Sequence, residues 1–238
     1  MIHKVLRGIM TSTSLREMRK PYKAIWDVLR EDKLPKREPV ALFDHWFTEA
    51  KDSGHTFETN AVAVASATPE GIPSVRMVLL KGFNEDGFVF FTNYDSRKGR
   101  ELLANPKAAM LFYWDQQHRQ VRIEGKVGKI SREESEKYFH TRPRGSRISA
   151  LLSKQSTVVE SRKVLDDEHA ALTEKYADES KEIPCPENWG GLILVPEKFE
   201  FWQGQTSRLH DRLIFRRPSS KVEEDSSEFG WFLERLAP

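Results

Sequence analysis

Residues 199–217 read FEFWQGQTSRLHDRLIFRR, the densest run of chemistry-bearing side chains in the protein. From Arg208 to Phe215 cations alternate with apolar residues: Arg208, His210 and Arg212 against Leu209 and Leu213. A period of two predicts a strand with the three cations on one face. Like charges on one face repel, and an anion relieves that cost. Arginine in particular offers a planar fork that matches phosphates and carboxylates. Charge alternation alone equally describes a solvated basic edge strand.

Four other segments hold charges at informative spacings. In Ser74–Gly82, SVRMVLLKG, Arg76 and Lys81 lie five apart and so on opposite faces of an unbroken strand. Both serve one site only if the strand bends or ends near Lys81-Gly82; otherwise they are exposed charges at its ends. In Phe91–Gly99, FTNYDSRKG, Ser96 is placed to cap a helix whose first turn holds Arg97 and Lys98. A helix N-terminus, with free N–H groups and a positive dipole end, seats phosphate. Cations there disfavour the helix, so a nearby anion would account for them; an indifferent surface turn is the alternative.

In Arg119–Gly125, RQVRIEG, Gln120, Arg122 and Glu124 share one face and Val121 and Ile123 the other. Arg122 and Glu124 are as well explained by a plain cross-strand charge pair. In Tyr138–Ser146, YFHTRPRGS, Tyr138 and Arg142 fall on one helical face, with Ser146 in a following loop loosened by Gly145. A guanidinium, a phenol and a hydroxyl that converge would cradle a phosphate ester, although helix-end packing also suits them.

The elements that must position these groups follow from periodicity. Val40 to Ala50 has apolar residues at helical spacing. Strands are predicted at 61–67, 74–83, 88–92, 107–114 and 120–130, with a short helix from Ser96 to Leu103. Ser131-Arg-Glu-Glu134 is a capping box opening a helix to about His140, which Pro143 stops. A further helix covers about 160–176, and strands resume at 191–195, 199–202, 208–215 and 231–235. Short strands joined by hairpins, with helices inserted, indicate a mainly β protein built on an antiparallel barrel.

Composition narrows the classes. The 238 residues are 38% hydrophobic and 31% charged, with a formal net charge of +2. That balance gives no general field for nucleic acid, and no run approaches the roughly 20 apolar residues of a membrane span. The single cysteine, Cys185, allows neither an intrachain disulfide nor a multi-cysteine metal site, which points to a reducing, cytoplasmic setting. Residues 1–38 read as a flexible tail ahead of one domain at 39–238. Within the tail, residues 1–16 lack acids and carry Lys4, Arg7 and Arg16, either an organelle-targeting peptide or a disordered start. No phosphate loop, dinucleotide fingerprint, serine elbow or zinc-helix motif is present, and the histidines show no metal-ligand spacing.

Together the five segments resemble the pyridoxine (pyridoxamine) 5′-phosphate oxidases, over roughly 40–217 and the terminal ERLAP. The resemblance implies an FMN-binding split β-barrel and a homodimer, with a dimerisation region at about 189–238 and residues of both subunits in each site. It implies oxidation of pyridoxine 5′-phosphate and pyridoxamine 5′-phosphate by O2 to pyridoxal 5′-phosphate, with H2O2 and, from the amine, ammonia released. FMN contacts would come from Arg76, Met77, Val78, Leu79, Phe91, Thr92, Arg97 and Lys98. Gln120, Gln155, Ser156, Trp202 and Arg212 would add to them; an amide such as Gln120 can read a ring carbonyl and N–H together.

The substrate would meet Lys81, Tyr138, Arg142, Ser146, Arg208, Leu209 and His210, with Arg208 and His210 as the catalytic pair. Met18-Arg-Lys-Pro-Tyr22 resembles a segment that covers the substrate, with Pro21 a departure from the family pattern. Another split-barrel flavoenzyme, or a non-catalytic carrier of pyridoxal phosphate, is the competing expectation.

Overall fold

A computed structural model of the protein describes Tyr22 and residues 28–206, 208–219, 221, 223 and 229–238. The possible targeting segment at 1–16, most of the expected tail and much of the 218–229 loop lie outside the described residues. Residues 28–38 run along the barrel: Leu29 joins the core and Leu34 packs against it.

Eight strands form one sheet among the described residues: β1 (Ala61–Ala67), β2 (Pro73–Asn84), β3 (Gly87–Asn93), β4 (Lys107–Trp114), β5 (Arg119–Lys129), β6 (Trp189–Gln203), β7 (Asp211–Arg216) and β8 (Phe232–Arg235). Their order is β3-β2-β1-β4-β5-β6-β7-β8, and a further pairing of β3 with β6 closes the first six into an antiparallel barrel. Alternation does the sorting expected of a half-buried sheet. Val62, Val64, Met110, Phe112, Val121 and Ile123 point inward and are fully buried.

Helix α1 (Pro39–Asp52) covers the barrel. Proline suits its first position, and the Glu38 carboxylate accepts from the N–H groups of Val40 and Ala41. Its buried stripe includes Phe43, whose ring meets Phe83, Phe88 and Phe112 edge-on at 4.9–5.0 Å. Helix α2 (Arg97–Ala104) is capped by Ser96, and α3 (Arg132–Thr141) opens on the expected capping box.

Three expectations are corrected. The strands expected at 191–195 and 199–202 are one long strand, β6. Pro196, which lacks an N–H, is absorbed at a bulge: Glu124 pairs with Lys198 and Gly125 with Pro196, leaving Glu197 as the extra residue. Ser146 is not in a loop but in α4 (Arg144–Leu152). Pro143 ends α3 and pre-sets the backbone at the start of the next helix, which buries Ile148 and packs on α5 (Arg162–Lys175).

The third correction concerns Arg208, Leu209 and His210, which precede the strand. Pairing begins only at Asp211↔Gln203. Arg208 takes a left-handed backbone (φ 64°) and donates its N–H to the Gln205 carbonyl, making a turn. The three cations therefore do not share a strand face; Arg212 alone of them lies on β7.

Phe43→Ala should cost about 3–5 kcal/mol, because it empties the aromatic junction between α1 and the barrel. Equilibrium denaturant unfolding measures this, and a loss below about 1 kcal/mol would mean that α1 does not brace the barrel.

Candidate functional site

Pairing of β3 with β6, from Phe88↔Leu194 to Asn93↔Trp189, sets Phe91 beside Trp189. Their rings stack at 5.4 Å, and Tyr138 of α3 stacks on Phe91 at 3.9 Å. This aromatic wall borders a cleft of about 590 Å³. Lining it are Met77, Val78, Leu79 and Lys81 of β2, Phe91 and Thr92 of β3, Lys98 of α2, Tyr138, Arg142 and Ser146 of the α3–α4 corner, and Gln155. Eleven expected site residues thus converge in one place.

Lys81 reaches the cleft because β2 bulges there: Leu80 pairs with Phe90 and Gly82 with Val89, so Lys81 is the extra residue. This is the bend on which a shared site for Arg76 and Lys81 depended. Arg76, by contrast, does not line the cleft. It lies on the side of β2 that faces Val64, donating to the Val64 carbonyl and to Ser66 Oγ at 3.0 and 2.7 Å.

Two parts of the cleft have the character of anion seats. At the α3–α4 corner the Arg142 guanidinium lies 4.8 Å from the Trp189 ring centre, and its Nη1 is buried with no hydrogen-bond partner among the described residues. Burial lowers its pKa, which measures how poorly the charge is compensated. A buried unpaired guanidinium nitrogen costs free energy until an anion reaches it. A phosphate is a chemical match, and Tyr138 and Ser146 line the same cleft.

The second seat lies at the start of α2. Lys98 Nζ donates to Thr92 Oγ1 at 3.1 Å and to Gln155 Oε1 at 2.7 Å. Burial first, and then the charge of Arg76, push the Lys98 pKa down. Two cations that destabilise each other at a helix N-terminus fit a phosphate there. Ser156, next to Gln155, is exposed and adopts φ 71°.

The remaining expected residues are elsewhere on the chain. Gln120, Trp202 and Arg212 line a separate groove of about 340 Å³ with Leu111, Arg122, Glu200 and Pro238. The ambiguity over Arg122 resolves toward ion pairing: it meets Glu200 at 2.5 Å and Glu124 at 3.0 Å. Arg212 Nε also donates to Glu200, at 2.8 Å. Between groove and cleft runs an exposed apolar ridge. Met77, Ala63 and Leu111 are in register across β2, β1 and β4, with Val75 and Tyr113 alongside. Cleft and groove therefore open on the same outer sheet face.

The loop before β7 is held by Asp211, which is 5% exposed. Its carboxylate accepts from the Leu29 N–H, from Gln205 Nε2 and from Arg235 Nη1. Gln205 in turn donates its backbone N–H to His210 Nδ1 at 3.0 Å, so neutral His210 carries its proton on Nε2. Leu209 is 71% exposed and Arg208 is exposed beside it. The Tyr22 ring packs edge-on to His118, Trp202 and His210, at 4.8–6.1 Å. Lys20 lies outside the described residues.

Sequence reasoning missed Trp189 and Glu101. Trp189 follows a proline-rich stretch that reads as a loop, and its role depends on a strand partner distant in sequence. Glu101 sits one helical turn after Arg97, a spacing that would have pointed to it. Among the described residues no group of three or more His, Cys, Asp or Glu side chains is gathered for a metal, and no helix is long and apolar enough to cross a membrane.

Comparison with known proteins gives the family and the fold. Residues 52–176 match the family model described as pyridoxamine 5′-phosphate oxidase, and residues 189–238 match the pyridoxine 5′-phosphate oxidase C-terminal dimerisation region. The pyridoxine-5′-phosphate oxidase of Bos taurus is 46% identical, over 99% of this chain and 91% of its own. The crystal structure of PhzG from Burkholderia lata 383, in complex with tetrahydrophenazine-1-carboxylic acid, superposes with a TM-score of 0.78 at 30% identity, over 89% of this chain and 98% of its own. A pyridoxamine 5′-phosphate oxidase-related, FMN binding protein from Nostoc punctiforme shares the fold, with a TM-score of 0.60 at 18% identity, over 86% and 98% of the two chains. The fold is a split β-barrel, and the chain belongs to the pyridoxine/pyridoxamine 5′-phosphate oxidase family.

Proposed function

We propose that the protein oxidises pyridoxine 5′-phosphate and pyridoxamine 5′-phosphate to pyridoxal 5′-phosphate, using FMN and O2. The observation that carries this reading is the single cleft with two phosphate-type seats, one at Arg142 and one at Lys98. A phosphorylated substrate and a phosphorylated cofactor would occupy them side by side. FMN, when bound, supplies the two-electron acceptor that takes C4′ of the substrate to the aldehyde level and passes the electrons to O2 as H2O2. With the amine substrate, water completes the reaction and ammonia leaves.

The chain's own groups bind and orient. On this reading Arg142, Tyr138 and Ser146 hold the substrate phosphate, and Lys81 meets the substrate where β2 bulges. The β2 backbone from Met77 to Leu79 lines the flavin, with Phe91 and Thr92 beside it. Lys98, Gln155 and Ser156 receive the FMN phosphate, supported by Arg76 and Arg97. His210 acts as a hydrogen-bond donor through Nε2, because its lone-pair nitrogen is held by Gln205. Arg208, Leu209 and His210 then cover and orient the substrate ring, with the two cations stabilising charge as C4′ is oxidised.

Gln120, Trp202 and Arg212 belong to the flavin of the other subunit. The support is geometric: groove and cleft face outward from one sheet, divided by the apolar ridge at Met77 and Leu111. A two-fold homodimer that buries the ridge would set the groove of one chain over the cleft of its partner.

The direct test is turnover. Purified protein reconstituted with FMN should consume O2 when given pyridoxine 5′-phosphate and yield the aldehyde. Acid extraction should release about one FMN per chain and no FAD, as expected without a dinucleotide fingerprint. Protein that binds FMN without oxidising either substrate would exclude this reaction and leave the carrier or another flavoenzyme.

Arg142→Ala should raise KM for the phosphorylated substrate by about tenfold to a hundredfold, with a smaller effect on kcat, because a charge-assisted anchor remote from C4′ contributes mainly uniform binding. Unphosphorylated pyridoxine, which lacks the contact, should be affected little. Equal losses with pyridoxine and its phosphate would remove Arg142 from the phosphate site.

A further inference from the structure

Glu101 is a buried carboxylate, 6% exposed, on the inner side of α2 and outside the cleft. Oε2 accepts from Ser66 Oγ at 2.6 Å and Ser74 Oγ at 2.5 Å, and meets Arg76 Nη2 at 3.3 Å. Oε1 accepts from Arg97 Nε at 2.8 Å. Burial alone would raise its pKa, but the bonds from Ser66, Ser74 and Arg97 outweigh that and hold it at about 2. The group is thus an anion at any working pH.

Burying a charge is costly, and core packing does not require one here: an apolar residue would join α2 to β1 and β2 more cheaply. What the carboxylate uniquely does is fix two guanidinium groups that come from different elements. Arg76 projects from β2, and Arg97 from the first turn of α2. On Arg97 the carboxylate takes only Nε, and neither Nη group makes a hydrogen bond within the described residues. The forked end of the guanidinium is left available for a bidentate anion contact. On Arg76 it works with Ser66 and Ser74, both of which the guanidinium also contacts, so one hydroxyl pair and one carboxylate fix the charge near Lys98.

We infer that Glu101 is a positioning residue for the flavin phosphate, holding Arg76 and Arg97 in the geometry in which they receive it. The inference rests on the FMN reading above and extends it to a group that does not touch the ligand. It predicts a phosphate-specific defect. A residue that merely cements α2 to the sheet would weaken all flavins together, or the fold as a whole.

The experiment is a titration of flavin-free protein with FMN and, separately, with riboflavin, followed by quenching of flavin fluorescence. Wild-type protein comes first, since failure to bind FMN there would remove the parent reading rather than this one. Glu101→Gln keeps the size of the side chain and one acceptor oxygen but removes the charge. It should raise the Kd for FMN by about tenfold and leave the Kd for riboflavin within about twofold of wild type. Glu101→Ala should raise the FMN value further; if it does not fold, Glu101→Gln decides alone. Three results for Glu101→Gln would overturn the inference: an FMN Kd within about twofold of wild type, equal weakening toward FMN and riboflavin, or tighter FMN binding.

Discussion

The structure depends on the pairing of β3 with β6. Without it the first six strands are an open sheet, with β3 at one edge and the first residues of β6 unpaired on one side. With it the barrel closes, both otherwise exposed strand edges are satisfied, and Trp189 comes to lie against Phe91 although nearly a hundred residues separate them. The glycines at the start of β6 are part of this closure: a Cβ at Gly190 would collide with the Tyr94 and Ser135 side chains. The aromatic wall of the cleft is thus a consequence of closing the barrel.

On that frame the chain places its cations against its own interest. Arg142 is half-buried with a nitrogen that has no partner among the described residues, and Lys98 stands close to the charge of Arg76. The carboxylate that compensates Arg76 and Arg97, Glu101, bridges the two from outside the cleft. At Asp211, by contrast, the buried carboxylate is paired with Arg235, and the ionic contact also ties β7 to β8. The contrast between a satisfied network and an under-compensated one separates a structural from a functional grouping here.

Much of this was legible in the residues. Alternation located β1 and β4 to the residue, Ser96 and Ser131 announced two helix starts, and the place where β2 could bend, near Lys81-Gly82, is where it bulges. Alternation misled at Arg208–His210, because a period of two over a few residues does not reveal whether a partner strand extends that far; Gln203 is the last residue of β6 and sets the limit. Pro143 was read as a stop, which it is, but the same fixed φ also starts α4 and carries Ser146 onto a helix. The part that could not be read locally is which site residues share one chain's cleft. That Gln120, Trp202 and Arg212 sit apart from Thr92 and Lys98 depends on strand order, which no segment encodes by itself.

The outward-facing cleft and groove on one sheet have a genetic consequence. If each whole site takes its cleft from one chain and its groove from the partner, damage to the two regions is complementary. In a mixed dimer of one chain broken at Arg142 and another broken at Arg212, both lesions fall in the same site and the other site is intact. Two inactive alleles would then restore part of the activity when expressed together, whereas two lesions in the same region would not. Whether a pair of variants rescues one another would follow from where each lies on the sheet, and not from how severe each is alone.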